Sequence, residues 1–315
     1  MKRKAIIFGI KGQNLSLKEK KLFSRFKPWG IILFSRNIKN LEQLKHLIFE
    51  IKKIFNDKNY PILIDEEGGI VSRLNKIIDF SVFSNKYFSQ LYKKNKKLFF
   101  IIYNIYTNIV CELFADVGIN INTVPVLDVR RKNSHSIIAK RSFSNDPKQV
   151  SLMGNICINS FAKHKIATVM KHIPGHGLSN SDSHHRTPII KNNIKELINK
   201  DFKTFKECNP LFAMTAHLIY AKYDSKNTAT HSHIVINKII RNHINFRGIL
   251  ISDDISMKAL KYNFKENATR ALKAGCNIVL HCNGKLNEMK ILSKIIPNID
   301  SFTQKKTSQF YKFLM

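Results

Sequence analysis

The sequence predicts an α/β chain folded as a single (β/α)8 barrel spanning residues 1–315, and three observations predict it. Eight short apolar runs recur along the chain: AIIFG (5–9), GIILF (30–34), PILID (61–65), INTVPV (121–126), IATVM (166–170), LFAMTAH (211–217), GILISD (248–253) and NIVLHC (277–282). Near-continuous apolarity in runs this short marks strands buried on both faces, as in a parallel sheet. The intervals between runs are long enough for a crossover helix each time. Polar residues then gather where the runs end, which is the layout of a barrel active site. A doubly wound open sheet is the structural alternative.

In chain order, Arg36 and Asn37 follow the second run, Asp65 ends the third and Asp128 follows the fourth. Lys171 and His172 follow the fifth, His217 ends the sixth, Asp253 the seventh, and Asn283 follows the eighth. The most apolar interval, 98–115, is interrupted by Asn104, Thr107, Asn108 and Glu112, and is read as a helix packed on the barrel rather than a membrane span. KEKK (18–21) and KKNKK (93–97) read as solvated helix faces, and 304–315 as a loosely attached terminal helix. The apolar run at 5–10 is too short for the core of a signal peptide. Five scattered cysteines without a CxxC pair argue against a disulfide framework and for a reducing compartment.

The net charge is +31, from 53 Lys and Arg against 22 Asp and Glu. That balance suits a binder of nucleic acid or another anionic surface. No RNP motif, basic zipper or metal-finger spacing accompanies it, and the lysines are spread along the chain. Compositional drift is therefore preferred, with no nucleic-acid or membrane partner expected.

The chemistry concentrates in KHIPGHGLSNSDSHH (171–185). Lys171 and His172 close a strand, Pro174, Gly175 and Gly177 turn the chain, and Asp182 and His184 lie further along the same loop. A carboxylate bonded to one imidazole nitrogen fixes the tautomer and raises the basicity of the other, so Asp182–His184 can exchange a proton near neutral pH. A merely polar loop is the competing reading. Lys171, His172 and His176 are not read as metal ligands: His-x-x-x-His needs a helix to join its rings, Pro174 and Gly175 oppose one, and Lys171 would repel a cation. No cofactor is expected.

Asp253, at a strand end, can serve as a nucleophile or stabilise a developing cation, while Asp254 is placed as the cap of a following helix. Asp65 precedes the turn-forming Gly68-Gly69 and can accept hydrogen bonds from sugar hydroxyls. Arg73 and Arg141 offer fork donors to hydroxyls or a carboxylate. No Walker loop, GxGxxG fingerprint or GxSxG elbow is present.

Taken together, these residues resemble the bacterial β-N-acetylhexosaminidases of glycoside hydrolase family 3. The matching segments run in order: GIILFSRNI (30–38), DEEGGIVSR (65–73), GININTVPVLDV (118–129), RSF (141–143), KHIPGHG with DSH (171–184), MTAHLIY (214–220), SDDISM (252–257) and AGCNIVLHCNG (274–284). The resemblance implies a single barrel domain of the family's N-terminal type. It implies a retaining exo-β-N-acetylglucosaminidase that forms a covalent glycosyl-enzyme on Asp253, with His184 as acid/base and Asp182 as its dyad partner. Asp65, Arg73, Arg141, Lys171 and His172 align with residues that hold the sugar. The implied role is release of N-acetylglucosamine from 1,6-anhydro-N-acetylmuramyl-peptides by a cytoplasmic monomer in peptidoglycan recycling. Glu66 stands where the family often has His or Gln, and Ile70 where it often has Arg. Rival readings are a phosphorylase, a β-glucosidase, and a sugar- or nucleic-acid-binding protein on an inactive barrel.

Overall fold

A computed structural model describes residues 2–132, 134–179 and 187–315. The strands are β1 (Lys4–Gly9), β2 (Pro28–Leu33), β3 (Ile62–Ile64), β4 (Ile121–Asn122), β5 (Ala167–Ile173), β6 (Ile189–Ile190), β7 (Phe212–Thr215), β8 (Ile219–Tyr220), β9 (Ile249–Asp254) and β10 (Ile278–His281). Eight of them close into a parallel barrel in the order β1-β10-β9-β7-β5-β4-β3-β2, while β6 and β8 form a separate two-stranded sheet. Each apolar run read from the sequence contributes one barrel strand, so the fold is the (β/α)8 barrel rather than the open sheet.

Strand ends depart from expectation where the backbone chemistry requires it. β4 is two residues long: Val124 N turns back to the Asn122 carbonyl, and Pro125 after it offers no N–H to a ladder. The Pro125 carbonyl instead accepts from Lys171 N, and Leu127 N donates to the Lys171 carbonyl. These bonds lengthen β5 past Met170, so Lys171 and His172 lie within the strand rather than after it.

Helices begin where the sequence supplies an N-cap. Ser16 and Glu19 form a capping box for Leu17–Phe26, and Asn40 caps Leu41–Phe55. KKNKK is not one helix face. Asn95 ends the helix Asn85–Lys94 and caps Lys96–Val117, which makes the run a junction between two helices. The helix Lys96–Val117 is long and apolar enough to cross a membrane. Phe99, Tyr103, Tyr106, Val110 and Phe114 are nevertheless buried along one side of it, as expected of a helix packed on the barrel.

The C-terminal helix Ser301–Leu314 is docked, not loose. The fully buried Trp29 donates Nε1–H to Thr307 Oγ1 at 2.9 Å and packs against Phe212 and Phe310. Tyr311 donates its hydroxyl to Asp57. Indole and phenol tips need such partners when buried. The sequence reading underrated this helix because its contacts are made with residues far away in the chain.

Candidate active site

A cavity of about 240 Å³ opens where the barrel strands end, and Asp65, Arg73, Arg141, Lys171, His172 and Asp253 all line it. These are the described residues singled out in the sequence, and the fold brings them to one place. Asp182 and His184 lie outside the described residues.

β3 delivers Asp65 at its exit. The chain then turns through Gly68 and Gly69 at φ 73° and 63°, where a Cβ on Gly68 would meet the Phe83 carbonyl oxygen at 2.3 Å. This turn returns Arg73 to Asp65, 3.3 Å from its Oδ2. Lys171, buried on β5, places Nζ 3.0 Å from Asp65 Oδ1, 2.9 Å from Thr123 Oγ1 and 2.7 Å from Glu67 Oε1. Thr123 also donates to Asp65. Arg141 grips Glu67 through two bonds, Nε at 2.9 Å and Nη2 at 2.7 Å, a strong bidentate geometry.

Burial alone would raise the pKa of Asp65, but Lys171 and Arg73 outweigh it and hold the carboxyl well below the usual range. Burial opposes Glu67 in the same way, and Arg141 and Lys171 bring it down to about 2. Both stay ionised as acceptors. The adjacent Glu66 behaves oppositely. Burial pushes it up to about 7, against hydrogen bonds from Leu74 N, Arg73 N and the Ser72 hydroxyl that favour the charge.

Asp128 organises the histidines. Its Oδ2 lies 2.7 Å from His172 Nδ1, and its Oδ1 accepts from His172 N at 3.2 Å and from His176 N at 2.6 Å. With Nδ1–H directed at a carboxylate, His172 Nε2 faces Arg141 Nη2 at 3.4 Å as an acceptor. The rings of His172 and His176 pack edge-on with centroids 5.6 Å apart. The turn at Pro174 and Gly175 therefore joins them without the helix that the sequence argument required.

β9 carries Asp253 into the cavity from the other side. Burial would raise its pKa, but His217, His172, the Asp254 N–H and Lys171 together hold it below the ordinary value. Among the described residues it accepts one hydrogen bond, from Asp254 N at 2.8 Å. Asp254 does not cap a helix. It accepts from Ser256 N at 3.1 Å and Cys282 N at 3.1 Å, tying the β9 exit to the β10 exit, and the next α-helix begins at Phe264.

Sequence reasoning missed Glu67 and gave Asp128 no role. Glu67 had a signal: it sits two residues from Asp65 in front of a glycine pair, with basic residues nearby in the same motif set. Other strand-end residues proved structural. Arg36 and Asn37 bond the Ile10 carbonyl at 3.0 and 3.1 Å, and Asn283 bonds Glu288 at 2.7 Å.

The chain has close relatives of known kind. Residues 10–309 match the glycosyl hydrolase family 3 N-terminal domain. A β-hexosaminidase of Haemophilus influenzae is 31% identical over 298 residues, covering 92% of this chain and 83% of the relative. One from Idiomarina loihiensis is 31% identical over 296 residues, covering 93% and 88%. Among solved structures, NagZ from Neisseria gonorrhoeae in complex with N-trifluoroacetyl-D-glucosamine is 27% identical, with a TM-score of 0.86 and coverage of 100% of this chain and 90% of that one. The chain thus belongs to glycosyl hydrolase family 3, among its bacterial β-hexosaminidases.

Proposed function

We propose that the protein is a retaining exo-β-N-acetylglucosaminidase that uses Asp253 as nucleophile and the Asp182–His184 pair as acid/base. The observation that carries this reading is the position of Asp253: an ionised carboxylate at a strand end, facing a small cavity whose opposite wall is rich in fixed donors and acceptors. A cavity of this size suits one terminal sugar ring, which supports exo cleavage. Asp65, Arg73, Arg141, Lys171 and His172 hold the ring through its hydroxyls. The bound N-trifluoroacetyl-D-glucosamine of the Neisseria relative supports an amino sugar as occupant.

In the proposed reaction, an Asp253 oxygen attacks the anomeric carbon while His184 gives its proton to the departing glycosidic oxygen. The carbon–oxygen bond to the aglycone breaks and a covalent glycosyl-enzyme forms. His184 then takes a proton from water, whose oxygen displaces Asp253 and frees the sugar with retained configuration. Asp182 stabilises the imidazolium. The proposed substrate is the 1,6-anhydro-N-acetylmuramyl-peptide of peptidoglycan recycling, cleaved in the cytoplasm by a monomer.

Two measurements test the reading. Mass spectrometry after incubation with a fluorinated N-acetylglucosaminide should find the label on Asp253. Active enzyme labelled elsewhere would refute the assignment. Release of N-acetylglucosamine from anhydro-muropeptide should exceed release from chitobiose, and the reverse order would sink the proposed substrate.

A further inference from the structure

The helix Lys96–Val117 is built with two unlike sides. Leu98, Ile101, Ile105 and Ile109 follow helical spacing and form one outward stripe, each between 39% and 55% exposed. Scattered exposed aliphatics are ordinary, but a contiguous stripe on one helix face is not. Phe100 on the same helix and Tyr87 on the preceding helix are also exposed.

The charge around the stripe is one-sided. Lys93, Lys94, Lys96 and Lys97 are exposed at its N-terminal end. Among the described residues none of these four forms an ion pair; Lys96 Nζ lies 5.4 Å from the Tyr92 ring centroid. From residue 68 to residue 111 the sequence holds a single acid, Asp79. The acids of this helix, Glu112 and Asp116, stand at its far end, where Asp116 pairs with Lys45 at 2.8 Å. The stripe is therefore cationic at one end and screened at the other.

We propose that this stripe and its lysine junction form a peripheral docking surface for an anionic phospholipid bilayer. Exposed isoleucine and leucine side chains enter the headgroup boundary while the lysines meet lipid phosphates, the arrangement of an interfacial helix. A helix buried along one side cannot span a bilayer, whereas a surface contact asks only for the exposed side. The proposal revises the expectation of no membrane partner. A second copy of the chain fits the stripe less well, because it would bring like lysine collars together on molecules of net charge +31. Nucleic acid would use the lysines but has no use for an aliphatic stripe.

The surface also adjoins the cavity mouth. The helix Asn85–Lys94 packs between Lys96–Val117 and the short helix Ser136–Arg141, with Asn85 Nδ2 bonded to the Arg141 carbonyl at 2.7 Å. Ile137 and Ile138 of that short helix line the cavity. Docking would hold the mouth near the lipid surface.

Cosedimentation of the intact protein with sucrose-loaded vesicles tests the proposal, comparing pure phosphatidylcholine with an equal mixture of phosphatidylcholine and phosphatidylglycerol. Binding to the mixed vesicles alone, weakened by salt, is expected. Each of Lys93→Gln and Lys97→Gln should lower the partition coefficient about fivefold. The pair Ile101→Ser with Ile105→Ser should abolish binding while far-UV circular dichroism and the melting midpoint stay unchanged. No sedimentation with the mixed vesicles, equal binding to the neutral ones, or wild-type binding by the serine variant would each overturn the proposal. So would a lipid-free dimer, seen by sedimentation velocity, that the serine variant dissolves.

Discussion

On the β3–β5 side of the cavity, Asp65, Glu67, Arg141 and Lys171 consume one another's charge through bonds of 2.7–3.0 Å. On the β9 side, Asp253 accepts one hydrogen bond from its neighbour's backbone among the described residues. The first wall is an electrostatic network whose charges are paired with one another before any ligand arrives. The second presents a carboxylate with spare lone pairs. A saturated network suits binding, since its groups keep their positions and offer only their remaining donors and acceptors. A carboxylate with lone pairs to spare suits the bond formation proposed for Asp253. The same residue types thus do different work according to how fully they are paired.

That contrast can be broken by substitution, and the largest effect is expected at Asp253. If Asp253 is the nucleophile as proposed, Asp253→Ala should lower kcat about 10⁴-fold or more, as removal of a catalytic nucleophile does. Its urea midpoint should stay within error of wild type, because little bonding is lost. A large fall in stability would place Asp253 in the structural network instead. Lys171→Met should do the reverse in emphasis. It leaves Asp65 and Glu67 facing each other without their shared cation, at a cost of about 3–5 kcal/mol of folding stability. Urea unfolding reads that loss directly, and a variant as stable as wild type would show that the wall does not depend on its lysine.

A smaller effect separates the two stages of the proposed reaction. His184→Ala should harm glycosides with poor leaving groups more than nitrophenyl glycosides, since protonation matters most for the poor ones. Steady-state kinetics on both substrates measures the ratio. Equal losses would argue against His184 as the acid.

The barrel was legible because its signal is local: eight apolar runs, each buried on both faces, with polar residues at their exits. The cavity set was legible because each strand exit is a fixed place in a closed barrel, so residues at exits meet whatever their separation in sequence. What remained hidden depends on distant partners. Glu67 becomes a site residue only when Arg141 and Lys171 arrive from other elements. The docking of Ser301–Leu314 hangs on Trp29 and Asp57. Asp254 read as a helix cap because Asp at a strand exit commonly is one, yet its partners lie in the next turn and at the β10 exit.

The finest version of the comparison sits within two consecutive residues. Glu67 has two cations and falls to about 2, whereas Glu66 has only neutral donors and rises to about 7 from an ordinary 4.5. A carboxyl whose folded pKa is raised keeps its proton in the folded chain after the unfolded chain has lost it. Between pH 4.5 and 7 the folded state then binds more protons than the unfolded state, so this group makes stability fall as pH rises across that window. Glu66→Gln mimics the protonated form and removes the dependence. Below pH 4, where both states hold the proton, the variant should melt with wild type. Its advantage should grow toward pH 7 and level off above it, reaching about 3 kcal/mol at most. Thermal melts across that range measure the difference. A constant offset at every pH would show that Glu66 does not titrate in the window, and that burial without a cation is insufficient to set the two glutamates apart.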